Sequence, residues 1–156
     1  MNLSLIHISQ SQTLDATGMG LILDSSILVA AERKGLSVRE ILEQFKSGHG
    51  ETEIGLSVVT IAELTHGAFR AQVEARKLRR LAFIDRLCRD IPIYSITVEI
   101  ARIVGRIEGQ QAALGFTLAF EDLAIGVTAL QLGYDIVTFN EKHFLQIPGL
   151  RIVKAK

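Results

Sequence analysis

Four oxygen-bearing side chains stand out by where they fall: Asp24, Glu63, Asp122 and Asn140. Asp24 ends the apolar run Gly20-Leu21-Ile22-Leu23, and Asn140 ends a second run, DIVTF. Glu63, in SVVTIAEL, lies just beyond a third run. Asp122, in AFEDLAIGVTAL, opens a stretch that is apolar on nearly every side. Carboxylates drawn together repel and raise one another's pKa, and the usual relief is a cation. An all-oxygen donor set suits Mg²⁺ or Mn²⁺. An ion of that kind activates water and stabilises charge on a phosphoryl oxygen. The four histidines, His7, His49, His66 and His143, have no zinc-like spacing. None is expected near the acids as a general base.

Each residue also has a plain structural reading. Glu63 follows Thr60 by three, and T-x-x-E is a capping box. Asp24 can be the N-cap of the helix after it. Asp122 and its neighbour Glu121 suit a helix N-terminus. Asn140 can be a turn residue. The case for a site is the four positions taken together.

The elements needed to bring them together can be read from the pattern. Strands are expected at 21–23, 54–57, 91–94, 135–138 and 151–153. Consecutive apolar positions in the first indicate a strand covered on both faces, as in a parallel sheet. Helical patterns lie between them: 27–31 and 38–45 around Lys34-Gly35, then 61–70 and 73–89. Leu78, Leu81, Ile84 and Cys88 share a face of the last. A further helix starts from Thr97, with Ile100, Val104 and Ile107 on one stripe. The helix 123–132 is expected to be central and buried, closed by Gly133. Alternating strands and helices give an α/β sandwich with a mostly parallel sheet of about five strands. Ligands of such sheets sit beyond the carboxyl ends of the strands, where the following helices also begin. Three acids and one amide can therefore meet on one rim, with Glu63 in the first turn of its helix.

Length and composition fit one domain. The chain has 156 residues, 48% hydrophobic and 22% charged. No apolar run has the length of about 18 residues that a membrane helix needs. A single cysteine, Cys88, excludes an internal disulfide framework and fits a reducing cytosol. Residues 1–18, rich in Ser, Thr and Gln, read as a leader outside a domain at 19–156. Seventeen bases balance seventeen acids, which argues against coating nucleic acid by bulk charge. One segment differs. Between Arg70 and Asp90 seven bases stand against three acids.

At the acids the sequence resembles the PIN-domain family, and within it the VapC-type toxins of toxin–antitoxin pairs. LILDSSILVA is similar to that family's opening motif, SVVTIAELTHGAFRA to its second, and DLAIGVTALQLGYDIVTFNEKHFLQIPGL to its ending. The resemblance covers 20–154 in order. It implies a three-layer α/β/α sandwich and an Mg²⁺- or Mn²⁺-dependent endoribonuclease in the cytoplasm. Carried over by position, Asp24, Glu63 and Asp122 match the principal acids, with Glu63 direct or through water. Asn140 matches a fourth position that is often Asp and offers a weaker, neutral oxygen. Ser26 matches a small polar residue beside the metal. Gly126-Val127 stands where most relatives have Ala-Ala.

The resemblance also implies a homodimer and a VapB-like antitoxin whose tail reaches the acids. The substrate would be RNA, tRNA or another structured RNA among the possibilities. Arg33, Lys34, Arg76, Arg79 and Arg80 are candidates for its backbone. Two rivals stand beside this reading. One is a phosphoryl-transfer domain with Asp24 as nucleophile, against which the residue two further on is Ser26 and no partner lysine is evident. The other is a weak or inactive PIN module that serves its antitoxin as a binding or co-repressor partner, for which Asn140 speaks.

Overall fold

The computed structural model describes residues 19–155, so the expected leader lies outside the described residues. Five strands form one all-parallel sheet: β1 (Gly20–Leu23), β2 (Glu53–Ser57), β3 (Ile93–Tyr94), β4 (Asp135–Thr138) and β5 (Ile152–Lys154). Their order is β3-β2-β1-β4-β5. The chain builds outward from β1 in one direction, then returns to the other side of β1 with β4. The order therefore reverses between β1 and β4, which is where an open parallel sheet leaves a crevice at its carboxyl edge.

The strands are apolar throughout because both faces are covered. Leu21 and Leu23 pack on one side, and Ile22 on the other. Each is nearly or fully buried, a contribution of about 1.5–3 kcal/mol per side chain. Helices α1 (Ser25–Arg33), α2 (Val38–His49), α3 (Val58–Phe69) and α4 (Glu74–Asp90) supply the first layer. Helices α5 (Val98–Ala113) and α6 (Phe120–Leu132) supply the second, with Phe144 and Ile147 from the turn after β4. This is the expected three-layer sandwich. Helix α6 is buried from Leu123 through Ala129 and ends at Gly133, whose φ of 70° only glycine adopts without strain. Gly126 inside it meets Ile147, Leu150 and Phe144, and a Cβ there would push into them. Among the described residues no helix is long and apolar enough to cross a membrane.

Several boundaries differ from the sequence reading, each for a local reason. Helix α3 starts at Val58, not 61, because Ser57 caps it directly at the end of β2, its side chain accepting from the Val59 N–H at 3.2 Å. Thr60 is consequently inside the helix and caps nothing. Its hydroxyl is buried without a partner, so T-x-x-E is not a capping box here. The real capping box is Ser37 with Glu40 at the start of α2. Strand β3 keeps only two residues. Ile91 caps α4, and Pro92 contributes its carbonyl to Leu56. On α4 the buried face is Ile84 and Leu87, whereas Leu78 and Cys88 are exposed. The stripe on α5, Ile100, Val104 and Ile107, is buried as expected.

Candidate active site

Asp24 begins where β1 stops. It is 4% exposed and is the N-cap of α1. One carboxylate oxygen accepts from the Ser25 N–H at 2.8 Å. The other accepts from the Ser26 and Thr138 hydroxyls, both at 2.8 Å. The Asp24 N–H in turn donates to Val137 at 3.0 Å, so the ends of β1 and β4 are tied across the crevice. Ser26 accepts from the Phe139 N–H at 3.2 Å, and Thr138 from the Asn140 N–H at 2.9 Å. Capping and site geometry are thus compatible in Asp24. Ser26 links the Asp24 carboxylate to the end of β4.

Glu63 stands in the second turn of α3 rather than the first, because the helix begins at Val58. Its Oε1 is buried with no hydrogen-bond partner. Its carboxyl is pushed up to about 7, mainly by burial and then by the charges of Asp24 and Asp122, against a hydrogen bond from Ser25. Asp122 is the third residue of α6, a helix with no side-chain cap, so free N–H groups of its first turn lie nearby. Burial raises its pKa and Asp24 adds to the rise. His143, whose Nδ1 is 3.3 Å from Asp122 Oδ2, opposes it.

Asp24, Glu63, Asp122 and Asn140 line one cleft of about 550 Å³. The four positions chosen from the sequence come together at one rim. His66 and His143 also line it, contrary to the expectation of no histidine near the acids. The helical spacing of Glu63 and His66, three residues apart, is a signal that could have found the first. No comparable signal marked His143, which the 3-10 turn Glu141–His143 carries back to the cleft. Among the described residues no lysine lines the cleft, so the partner lysine that an Asp24 phosphoryl-transfer nucleophile would need is not found there.

Among the described residues, no three His, Cys, Asp or Glu side chains are gathered closely enough to hold an ion as they stand. The donor chemistry nevertheless fits a hard cation. The cleft offers four carboxylates, Asp24, Glu63, Glu121 and Asp122, and the amide of Asn140. One carboxylate oxygen is buried without a partner, and its charge is disfavoured by its neighbours.

The basic candidates form a separate feature. Arg33, Arg76, Arg79 and Arg80 line a cleft of about 630 Å³ between α1 and α4. Lys34 caps the C-terminus of α1 and is not among the residues that line it.

The model of the PIN domain matches residues 21–150. The chain is 31% identical over 135 residues to ribonuclease VapC1 of Rickettsia felis, covering 86% of this chain and 96% of that one. It is 30% identical over 131 residues to the tRNA(fMet)-specific endonuclease VapC of Shigella flexneri, covering 83% and 93%. Among solved structures, DNA-bound VapBC from Salmonella typhimurium superposes with a TM-score of 0.71 at 23% identity, covering 87% of this chain and 98% of that chain. That last likeness concerns the fold.

Proposed function

The chain belongs to the PIN domain family, and from that premise we propose that it is an endoribonuclease toxin restrained by a VapB-like antitoxin. The observation that carries this is the acid rim: Asp24, Glu63 and Asp122 converge at the crevice where the strand order reverses. The names of the relatives, ribonuclease and endonuclease, agree with it. A homodimer in the cytoplasm and an RNA substrate such as tRNA belong to the same proposal.

Asp24, Asp122 and Glu63 are the residues that would hold Mg²⁺ or Mn²⁺, with Asn140 as a weaker neutral donor. Bound there, the ion would activate water and stabilise charge on the phosphoryl oxygens. The protein's own part is positional. Three donors fix Asp24, and His143 orients Asp122. Glu63, whose carboxyl burial and the neighbouring acids push up to about 7, holds a proton more tightly than an ordinary carboxyl and exchanges it near neutrality. The imidazoles of His66 and His143 flank the same space. Hydrolysis joins a water oxygen to phosphorus, breaks one P–O bond and leaves a proton on the departing oxygen. The cleft supplies acceptors for the water's proton and donors for the departing oxygen.

The test is cleavage of total RNA by the purified protein, with and without its co-expressed antitoxin. The reading expects cleavage that the antitoxin suppresses and that Asp24→Asn abolishes. A folded protein that leaves RNA intact in Mg²⁺ and Mn²⁺ would overturn it and favour the partner-binding module.

A further inference from the structure

Three concavities follow one another from the acid rim along α1, α3 and α4. The acid cleft includes Glu63. Glu63 also borders a smaller slot of about 220 Å³, walled by Val29, Leu64, Phe83 and Ile84 and lined as well by Glu32, Arg33 and Arg80. Arg33, Arg80 and Phe83 belong in turn to the basic cleft that Arg76 and Arg79 complete.

We propose that the slot receives one unpaired nucleobase of a single-stranded RNA segment whose phosphates run from the arginines to the acid cleft. This rests on the ribonuclease reading and deepens it by assigning the place where the substrate is read. The slot is smaller than the sites of drug-sized ligands, which begin at about 300 Å³, so it suits one ring system. Its apolar walls and the Phe83 ring match the faces of a base, which single-stranded RNA exposes and duplex RNA hides. The slot's own lining balances Arg33 and Arg80 against Glu32 and Glu63, but the adjoining cleft is basic, with four arginines against Glu32, and a polyanion is its matching partner.

Arg80 is set in place. It donates to the Gly67 carbonyl at 2.9 Å and lies 3.8 Å from Glu32. The missing side chain at Gly67 keeps the slot open. A Cβ built there meets no atom within 4 Å, although the residue is inside α3 and has an ordinary helical backbone.

That glycine provides the test. Asp122→Asn protein serves as the parent, so that RNA is bound and not cut. Its affinity is measured by fluorescence anisotropy for a short single-stranded RNA of mixed sequence and for the same ribose-phosphate chain without bases. The intact RNA should bind about tenfold tighter. Adding Gly67→Leu should fill the slot and bring both RNAs to the abasic level, with no loss of melting temperature. Phe83→Leu should shrink the difference as an independent check. Equal affinity for the two RNAs in the parent overturns the proposal, as does a difference that survives both substitutions. If Gly67→Leu spares the base-dependent difference yet breaks the complex with a co-expressed antitoxin, the slot belongs to a protein partner and the proposal falls. The readout separates the two claims. Base-dependent binding in a protein whose wild type cuts no RNA sinks the ribonuclease and keeps the slot, and cutting without base-dependent binding does the reverse.

Discussion

The two edges of the one sheet treat charge in opposite ways. At the amino edge, where β2 and β4 begin, polar groups are matched. The Tyr134 hydroxyl donates to Glu53, and hydrogen bonding to Glu53 and Tyr94 holds its pKa well above the usual range. Buried Asp135 accepts from Arg151 at 2.7 and 2.8 Å. The rings of Tyr134 and Tyr94 cover Gly20 and Gly55 and meet edge to face at 6.2 Å. At the carboxyl edge, Asp24, Glu63 and Asp122 share a cleft; Asp24 and Asp122 raise the cost of Glu63's charge, and Asp24 raises that of Asp122. Glu63 keeps a buried oxygen without a partner. One edge is arranged for stability. The other leaves Glu63 poorly compensated, as sites with perturbed titration do.

That contrast predicts a separation of effects. Asp122→Asn should lower RNA cleavage by about 10²–10³-fold, the scale of removing one group that stabilises transition-state charge, without lowering the melting temperature. At the other edge, Asp135→Ala should cost about 1.5–3 kcal/mol of stability by denaturant unfolding, because it removes a charged hydrogen-bond acceptor. Cleavage per folded molecule should stay within about twofold of wild type, well under the ~1.4 kcal/mol of a tenfold change. Tyr134→Phe should cost about 1 kcal/mol and likewise spare activity.

A pH dependence is expected in the metal-free protein. Glu63 is raised in the fold above its ordinary 4.5 to about 7, so the fold prefers its protonated form. That stabilisation is fully present below 4.5 and is lost as pH rises through 7. The melting temperature of wild type measured in a chelator should therefore fall, relative to Glu63→Gln, between pH 4.5 and 7. Parallel curves would mean that Glu63 carries no such strain. Equal losses of activity and stability at both edges would erase the contrast itself.

Much of this was legible in the sequence, and the misses share a cause. The four rim residues are legible because Asp24 and Asn140 end apolar runs while Glu63 and Asp122 lie near helix starts, and a parallel sheet turns that pattern into proximity. The buried helix α6 was plain from its unbroken apolar composition, as was its closing Gly133. What failed was local. TIAE and SVRE carry the same capping signature, and only SVRE caps, because Ser57 had already started α3 without an intervening loop. The stripe with Leu78 and Cys88 failed because helical spacing cannot say where α4 rolls on the sheet. Packing against α2 and α3 turned Leu87 inward and left both of those residues outside. His143 was missed because a 3-10 turn, not a periodic element, brings it to Asp122. The arginines of one basic segment were seen as a charge run. Only the fold showed that Arg33, from another helix, shares their cleft.

The most direct test of the account is calorimetric titration of Mn²⁺ and Mg²⁺ into wild type and Asp122→Asn, with cleavage of total RNA measured in the same preparations. The account predicts binding by wild type and its loss, together with cleavage, in the variant. A well-folded wild type that binds neither ion would contradict it, and the carboxylates at the rim would then be helix caps and helix-end charges with no nuclease centre among them.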